Sequence, residues 1–118
     1  MEDRFSQQLK KGILEMLVLK LICDGPTYGY ELLQHLKERS ESLFALKEGT
    51  LYPILYRLED EGMIKARWSH GEGRTAPKKI YEVTEKGREE NLRRQMLWQE
   101  FQQTVNYVLQ RGKCHDGT

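Results

Sequence analysis

The sequence predicts a mainly α-helical chain of the winged helix-turn-helix class. It should carry a wing sheet of two to three strands and a long C-terminal dimerisation helix. Three observations predict this. Apolar residues recur at helical spacing in two consecutive segments, separated by the stop signal Asp24-Gly25-Pro26. Two segments rich in β-branched and aromatic residues, IKARWS (64–69) and KIYEVT (79–84), flank a Gly-containing polar loop. Finally, the stretch from about residue 85 to Gln110 has no proline and only one glycine, Gly87.

In the first helix, Leu9, Ile13, Met16, Leu17 and Leu21 share one face, and Leu14, Val18 and Ile22 form a second stripe beside it. Such a helix is buried on two sides. Thr27 is placed to cap a second helix over about Tyr28 to Arg39, with Tyr28, Leu32, Leu33 and Leu36 inward. Gly29 weakens that helix by up to ~1 kcal/mol relative to alanine. Its presence implies a close approach, either of packed protein or of a ligand. The apolar run Leu43 to Leu46 has the length of a short strand. A third helix spans about Glu48 to Glu61, with Leu51, Ile54, Leu55 and Leu58 on one face and Gly62 as its terminator. Pro53 is tolerated in a first turn, which places the helix start near Gly49 or Thr50. After the hairpin, some twenty-five residues of helix would extend about 37 Å, longer than so small a domain is wide. Its apolar positions Phe101, Val105 and Val108 form a seam. The expected organisation is a winged helix over residues 1–84, a dimerisation helix over 85–111 and a flexible tail over 112–118.

Composition narrows the function. The chain has 118 residues, and 19 Lys and Arg against 18 Asp and Glu leave a net charge of +1, so any nucleic-acid surface must be local. The length falls below the ~200 residues or more of a barrel enzyme. The N-terminal stretch lacks the apolar region of a secretory signal. The longest apolar run, Ile13 to Cys23, is broken by Glu15 and Lys20, so no membrane association is expected. Cys23 and Cys114 do not suggest a structural disulfide, and the cytoplasm is the simplest compartment.

The charge is unevenly placed. Between residues 65 and 79, Lys65, Arg67, Arg74, Lys78 and Lys79 face only Glu72, a net of +4. Such a hairpin suits phosphate contact; a second reading is that its lysines guard a sheet edge. In the third helix, Lys47, Thr50, Tyr52 and Arg57 lie toward the start and Glu59, Asp60 and Glu61 at the far end. That is the polarity of a recognition helix whose N-terminal part enters the major groove. Tyr52 is read as a DNA contact and Tyr56 as half-buried packing. His35, His70 and His115 fall in separate elements, and no phosphate loop or CxxC is present. Cys114-His115-Asp116 reads as a polar tail rather than a metal site. No enzyme, metal or cofactor is therefore expected. Trp68 is expected to pack on the sheet face. Trp98, beside the seam, is open to two readings: interface packing, or a flat wall for an aromatic effector.

The segments GPTYGYEL (25–32), EGTLYPILYRLEDEGMI (48–64) and KKIYEVTEKG (78–87) resemble the signature segments of the PadR family of transcriptional regulators. The resemblance runs from about Lys11 to Gly87 and more loosely through the last helix. It implies a homodimer, usually a repressor, that binds inverted-repeat operator DNA and releases it when an effector binds. In the short subgroup of the family, the single C-terminal helix packs against the partner chain, including its first helix, where Met16 lies. The implied DNA contacts are Tyr28, Tyr30, Thr50 and Tyr52, with the wing's basic residues Arg74, Lys78 and Lys79. Trp98 matches a tryptophan that some members place at the centre of the dimer pore. Two departures stand out: Thr75-Ala76-Pro77 splits the basic run of the wing, and Gln95, Gln99 and Gln102 surround Trp98. The alternative from a different class is a winged-helix protein-interaction module without specific DNA binding.

Overall fold

The computed structural model describes residues 3–70, 73, 76–110 and 112. Its elements are α1 (Arg4–Cys23), β1 (Thr27–Tyr28), α2 (Gly29–Arg39), α3 (Glu48–Asp60), β2 (Ile64–Trp68), β3 (Lys79–Val83) and α4 (Glu85–Gln110). Helix α1 starts where Asp3 accepts the Ser6 N–H at 2.8 Å. The strands form one antiparallel sheet in the order β1-β3-β2. Ala66 and Thr27 both face Tyr81 across it. This is a winged helix-turn-helix with a long helix appended.

The core fills the space between α1, α2, α3 and the sheet. Val18, Leu19, Leu32, Leu51, Leu55 and Leu58 are fully buried, and Tyr81 closes the core from β3. The stripe Leu14, Val18 and Ile22 is buried as its spacing predicts.

Three local expectations are corrected. Leu43 to Leu46 is not a strand: Glu41 and Ser42 adopt left-handed φ of 51° and 71°, and the chain turns there. The Ser40 hydroxyl accepts the Phe44 N–H at 2.9 Å, and Phe44 and Leu46 drop onto the core as loop residues. The third strand is instead Thr27–Tyr28. This also removes Thr27 as a cap, since its hydroxyl donates to the Glu31 carboxylate at 2.6 Å while Tyr28 occupies the cap position. Finally, α3 begins at Glu48, which puts Pro53 in the second turn. Proline removes the N–H that would serve the Gly49 carbonyl, on an exposed face where water can replace it.

Helix α4 is fixed at its first turn. A Cβ on Gly87 would lie 2.0 Å from the Met63 carbonyl oxygen, so only glycine fits. The Gly87 N–H donates to the Thr84 hydroxyl at 3.1 Å, and that hydroxyl donates to the Gly62 carbonyl at 2.7 Å. The Lys86 ammonium donates to the Glu61 carbonyl at 2.7 Å. Further along, the Glu90 carboxylate accepts from Arg93 and Arg94 at 2.8 Å. Arg94 then reaches Glu15 of α1 at 3.5 Å. From Met96 to Gln110 every residue is exposed.

Gly87→Ala should therefore destabilise the fold by about 1–3 kcal/mol, the usual range for overpacking. Gly49→Ala, where an added methyl meets nothing within 4 Å, should not. Thermal unfolding of the two variants checks this, and equal melting temperatures would exclude the close approach. A pH effect follows from Glu90. The Arg93 guanidinium, then that of Arg94, hold its carboxyl down at about 2 against the ordinary 4.5. The resulting stability is present above pH 4.5 and lost as pH falls toward 2. Denaturant unfolding between pH 5 and pH 2.5 should show a smaller loss for Glu90→Gln than for the unaltered protein.

Candidate nucleic-acid interface

The starts of α2 and α3 converge with the wing strands on an open cleft of about 360 Å³. Gly29 is central to its construction. A Cβ there would stand 2.6 Å from the Tyr52 hydroxyl oxygen, so glycine admits the tyrosine from α3 against α2. The close approach implied by Gly29 is thus to a side chain of the same protein. Tyr52 and Tyr56 stack in a tilted arrangement with centroids 6.5 Å apart.

The wing supplies the cations. Lys78 places its ammonium 4.3 Å from the centre of the Tyr28 ring. Lys79 lies 5.9 Å from the Tyr56 ring, 5.6 Å from that of Tyr81 and 4.0 Å from the Glu59 carboxylate. An aromatic face attracts a cation while leaving the outer side of the ammonium open to an anion. Tyr81 forms the floor. Burial above all pushes its phenol up to about 12 from the ordinary 10, with Tyr52 and Glu59 adding to the shift.

Five sequence-derived candidates, Tyr28, Tyr30, Tyr52, Lys78 and Lys79, line this one cleft. Tyr30 stands on its rim, 62% exposed. Lys47 and Thr50 lie on the other flank of α3. Arg57 is elsewhere, paired with Glu15 of α1 at 3.0 Å. Arg74 falls outside the described residues, as do Cys114, His115 and Asp116 of the tail.

Three further lining residues, Trp68, Glu48 and Tyr81, are not marked as site residues by the sequence. Trp68 is 65% exposed rather than packed on the sheet face. Ile64, Ala66 and Trp68 alternate along β2, and burial falls along them from a buried Ile64 through a half-buried Ala66 to an exposed Trp68. Tyr56, expected to be half-buried, is 59% exposed.

A second groove runs between α1 and α4, with a volume of about 550 Å³. Met16, Trp98 and Phe101 line it together with Leu9 and Ile13, and Glu15 and Arg94 form its polar edge. Val105 and Val108 lie beyond it on α4, exposed. Among the described residues, no three His, Cys, Asp or Glu side chains gather at a metal-sized site. No helix among them is long and apolar enough to cross a membrane.

Comparison with known proteins agrees with this architecture. The family described as Transcriptional regulator PadR-like matches residues 18–93. The negative transcriptional regulator PadR of Bacillus subtilis (strain 168) is 32% identical over 78 residues, covering 66% of this chain but 42% of that protein. The chain thus aligns with less than half the length of that relative. A PadR family regulator from Eggerthella lenta DSM 2243 superposes with a TM-score of 0.79 at 30% identity, covering 90% of this chain and 89% of its own. A PadR-like regulator from Bacillus cereus strain ATCC 14579 gives 0.75 at 33% identity, covering 90% and 99%. By fold, motif and match over most of its length, the chain belongs to the PadR-like family of transcriptional regulators, whose members are regulators and not enzymes.

Proposed function

We propose that this protein is a homodimeric repressor that binds inverted-repeat operator DNA. The observation that carries the reading is the Tyr28–Lys78 cleft at the N-terminal end of α3, where cations and tyrosine hydroxyls converge. Phosphate contacts of this kind position a recognition helix, while base edges specify the sequence. Residues 1–84 form the DNA-binding unit, with Lys47, Thr50 and Tyr52 leading α3 into the major groove and Arg57 held back by Glu15. The Bacillus subtilis relative, a negative transcriptional regulator, supports repression over activation.

Residues 85–111 serve dimerisation. Exposed Phe101, Val105 and Val108 support this, because a partner helix would cover them. Two recognition helices must sit about 34 Å apart to enter successive major grooves, and the paired α4 helices would set that distance. Met16, Trp98 and Phe101 frame a site for a small aromatic effector. Such a molecule would shift the spacing only as far as it prefers one arrangement over the other. The protein acts in the cytoplasm, where its operator is.

Anisotropy titration against operator and scrambled duplexes at two salt concentrations tests the reading. Tight, selective binding with two protomers per site is expected. Lys78→Ala with Lys79→Ala should weaken binding to both duplexes and flatten the salt dependence by about 0.9 per lost phosphate contact. Equal, weak binding to both duplexes would favour a protein-interaction module instead. For the effector, a planar aromatic dye should quench tryptophan fluorescence in Trp68→Phe but not in Trp98→Phe. The reverse result would remove Trp98 from any ligand site.

A further inference from the structure

We propose that a third cleft, on the far flank of α3, is a second binding site for the DNA phosphodiester backbone, built by Lys10 and Lys11 of α1 with Lys47. This extends the DNA-binding reading above and rests on it.

The cleft opens between α1, the loop ending at Leu46 and the start of α3, with a volume of about 800 Å³. Lys10, Lys11, Lys47 and Thr50 line it. Three cations at one cleft are notable in a chain whose net charge is only +1. Phe44 forms one wall, and the Lys10 ammonium lies 5.7 Å from its ring centre. Lys47 is also the cap residue of α3 and offers no side-chain acceptor to the first N–H groups. Its position puts the Lys47 side chain at the edge of this opening, beside the first turn of α3.

Helix geometry gives the cleft its role. Successive residues turn by about 100°. Glu48 and Tyr52 therefore face the Tyr28–Lys78 cleft, while Lys47 and Thr50 face this one. A helix about 10–12 Å across nearly fills a major groove about 12 Å wide, so a phosphate strand runs along each of its flanks. The wing side grips one strand. The α1 side presents the charge to grip the other. Lysine, a flexible point charge, suits phosphate rather than base edges.

The site is separate from the α1–α4 groove. Lys10, Lys11 and Leu14 line this cleft, whereas Leu9, Ile13 and Met16 line the other. At helical spacing the two sets lie on opposite faces of α1. A partner chain seated along α4 would leave the lysines accessible.

The test is the salt dependence of duplex binding by the full chain. Lys10→Ala with Lys11→Ala should lower affinity for operator and scrambled DNA alike. It should also make the slope of log K against log salt shallower by about 1.8 per bound protomer. Lys10→Arg with Lys11→Arg should restore the slope. Lys11→Ala alone, at an exposed position, should give about half the effect and keeps the test readable if the double variant unfolds. An unchanged slope and affinity, with Lys78→Ala/Lys79→Ala still showing its loss, would overturn this proposal and leave the DNA reading intact. Saturable binding of inorganic phosphate to these lysines with an unchanged duplex slope would assign the cleft to a free anion and overturn it as well. Failure of the unaltered protein to bind any duplex would overturn both readings.

Discussion

The backbone contact between Gly87 and the Met63 carbonyl fixes where the long helix begins and which way it leaves the domain. Everything outside the winged helix follows from that direction. Thr84 and Lys86 tie the first turn to the carbonyls of Gly62 and Glu61. Seven residues after Gly87 the helix passes α1 closely enough for Arg94 to reach Glu15, and the α1–α4 groove forms beyond that point. A side chain at position 87 would displace the helix axis at its root, and a small angular error there grows with every turn. The remote position of Trp98 is thus set by a contact some eleven residues upstream.

A second glycine organises the opposite side of the molecule. Without a Cβ at position 29, Tyr52 packs its hydroxyl against the start of α2. The two helices of the helix-turn-helix and the wing then share one aromatic surface on which Lys78 and Lys79 rest. Lysine stems cover ring faces while their ammonium groups stay in water, so the surface is both packed and charged. The wing is held to the domain partly by the same side chains proposed to grip DNA. The aromatic support spares those lysines some of the ordering cost that a freely rotating side chain meets on binding.

Much of the fold was legible in the sequence because its signals are local. The stripe Leu14, Val18 and Ile22 of α1 and the face Leu51, Ile54, Leu55 and Leu58 of α3 are buried as their spacing predicts, and the hairpin stands out by its change of period, whereas the second α1 face is not closed: Leu9 is exposed and Ile13 and Met16 are half-buried beside the groove. The failures share a cause. A two-residue strand such as Thr27–Tyr28 has no periodicity to read; it exists only because β3 pairs with it. Leu43 to Leu46 reads as a strand by apolar content alone, yet Leu43 and Ala45 are exposed and only Phe44 and Leu46 pack on the core, from a loop. Pro53 suggested a later helix start because an interior proline is costly, yet on the solvent side its missing hydrogen bond is tolerated. At the candidate site, residue type found the tyrosines and lysines. By sequence Arg57 is a candidate phosphate contact on the recognition helix, because its partner, Glu15, lies 42 residues away. Lys10 and Lys11 carry no distinguishing local signal in α1; only the fold sets them beside Lys47.

Glu15 of α1 joins two helices through one carboxylate. One of its carboxylate oxygens pairs with Arg57 of the recognition helix and the other with Arg94 of α4, at the edge of the Trp98 groove. A residue so shared cannot be optimised for one neighbour alone. Any substitution there alters the seating of α3 and the wall of the groove together. Over evolutionary time, the surface facing DNA and the surface facing α4 would be expected to drift as a coupled pair, with change at position 15 demanding compensation on two helices at once.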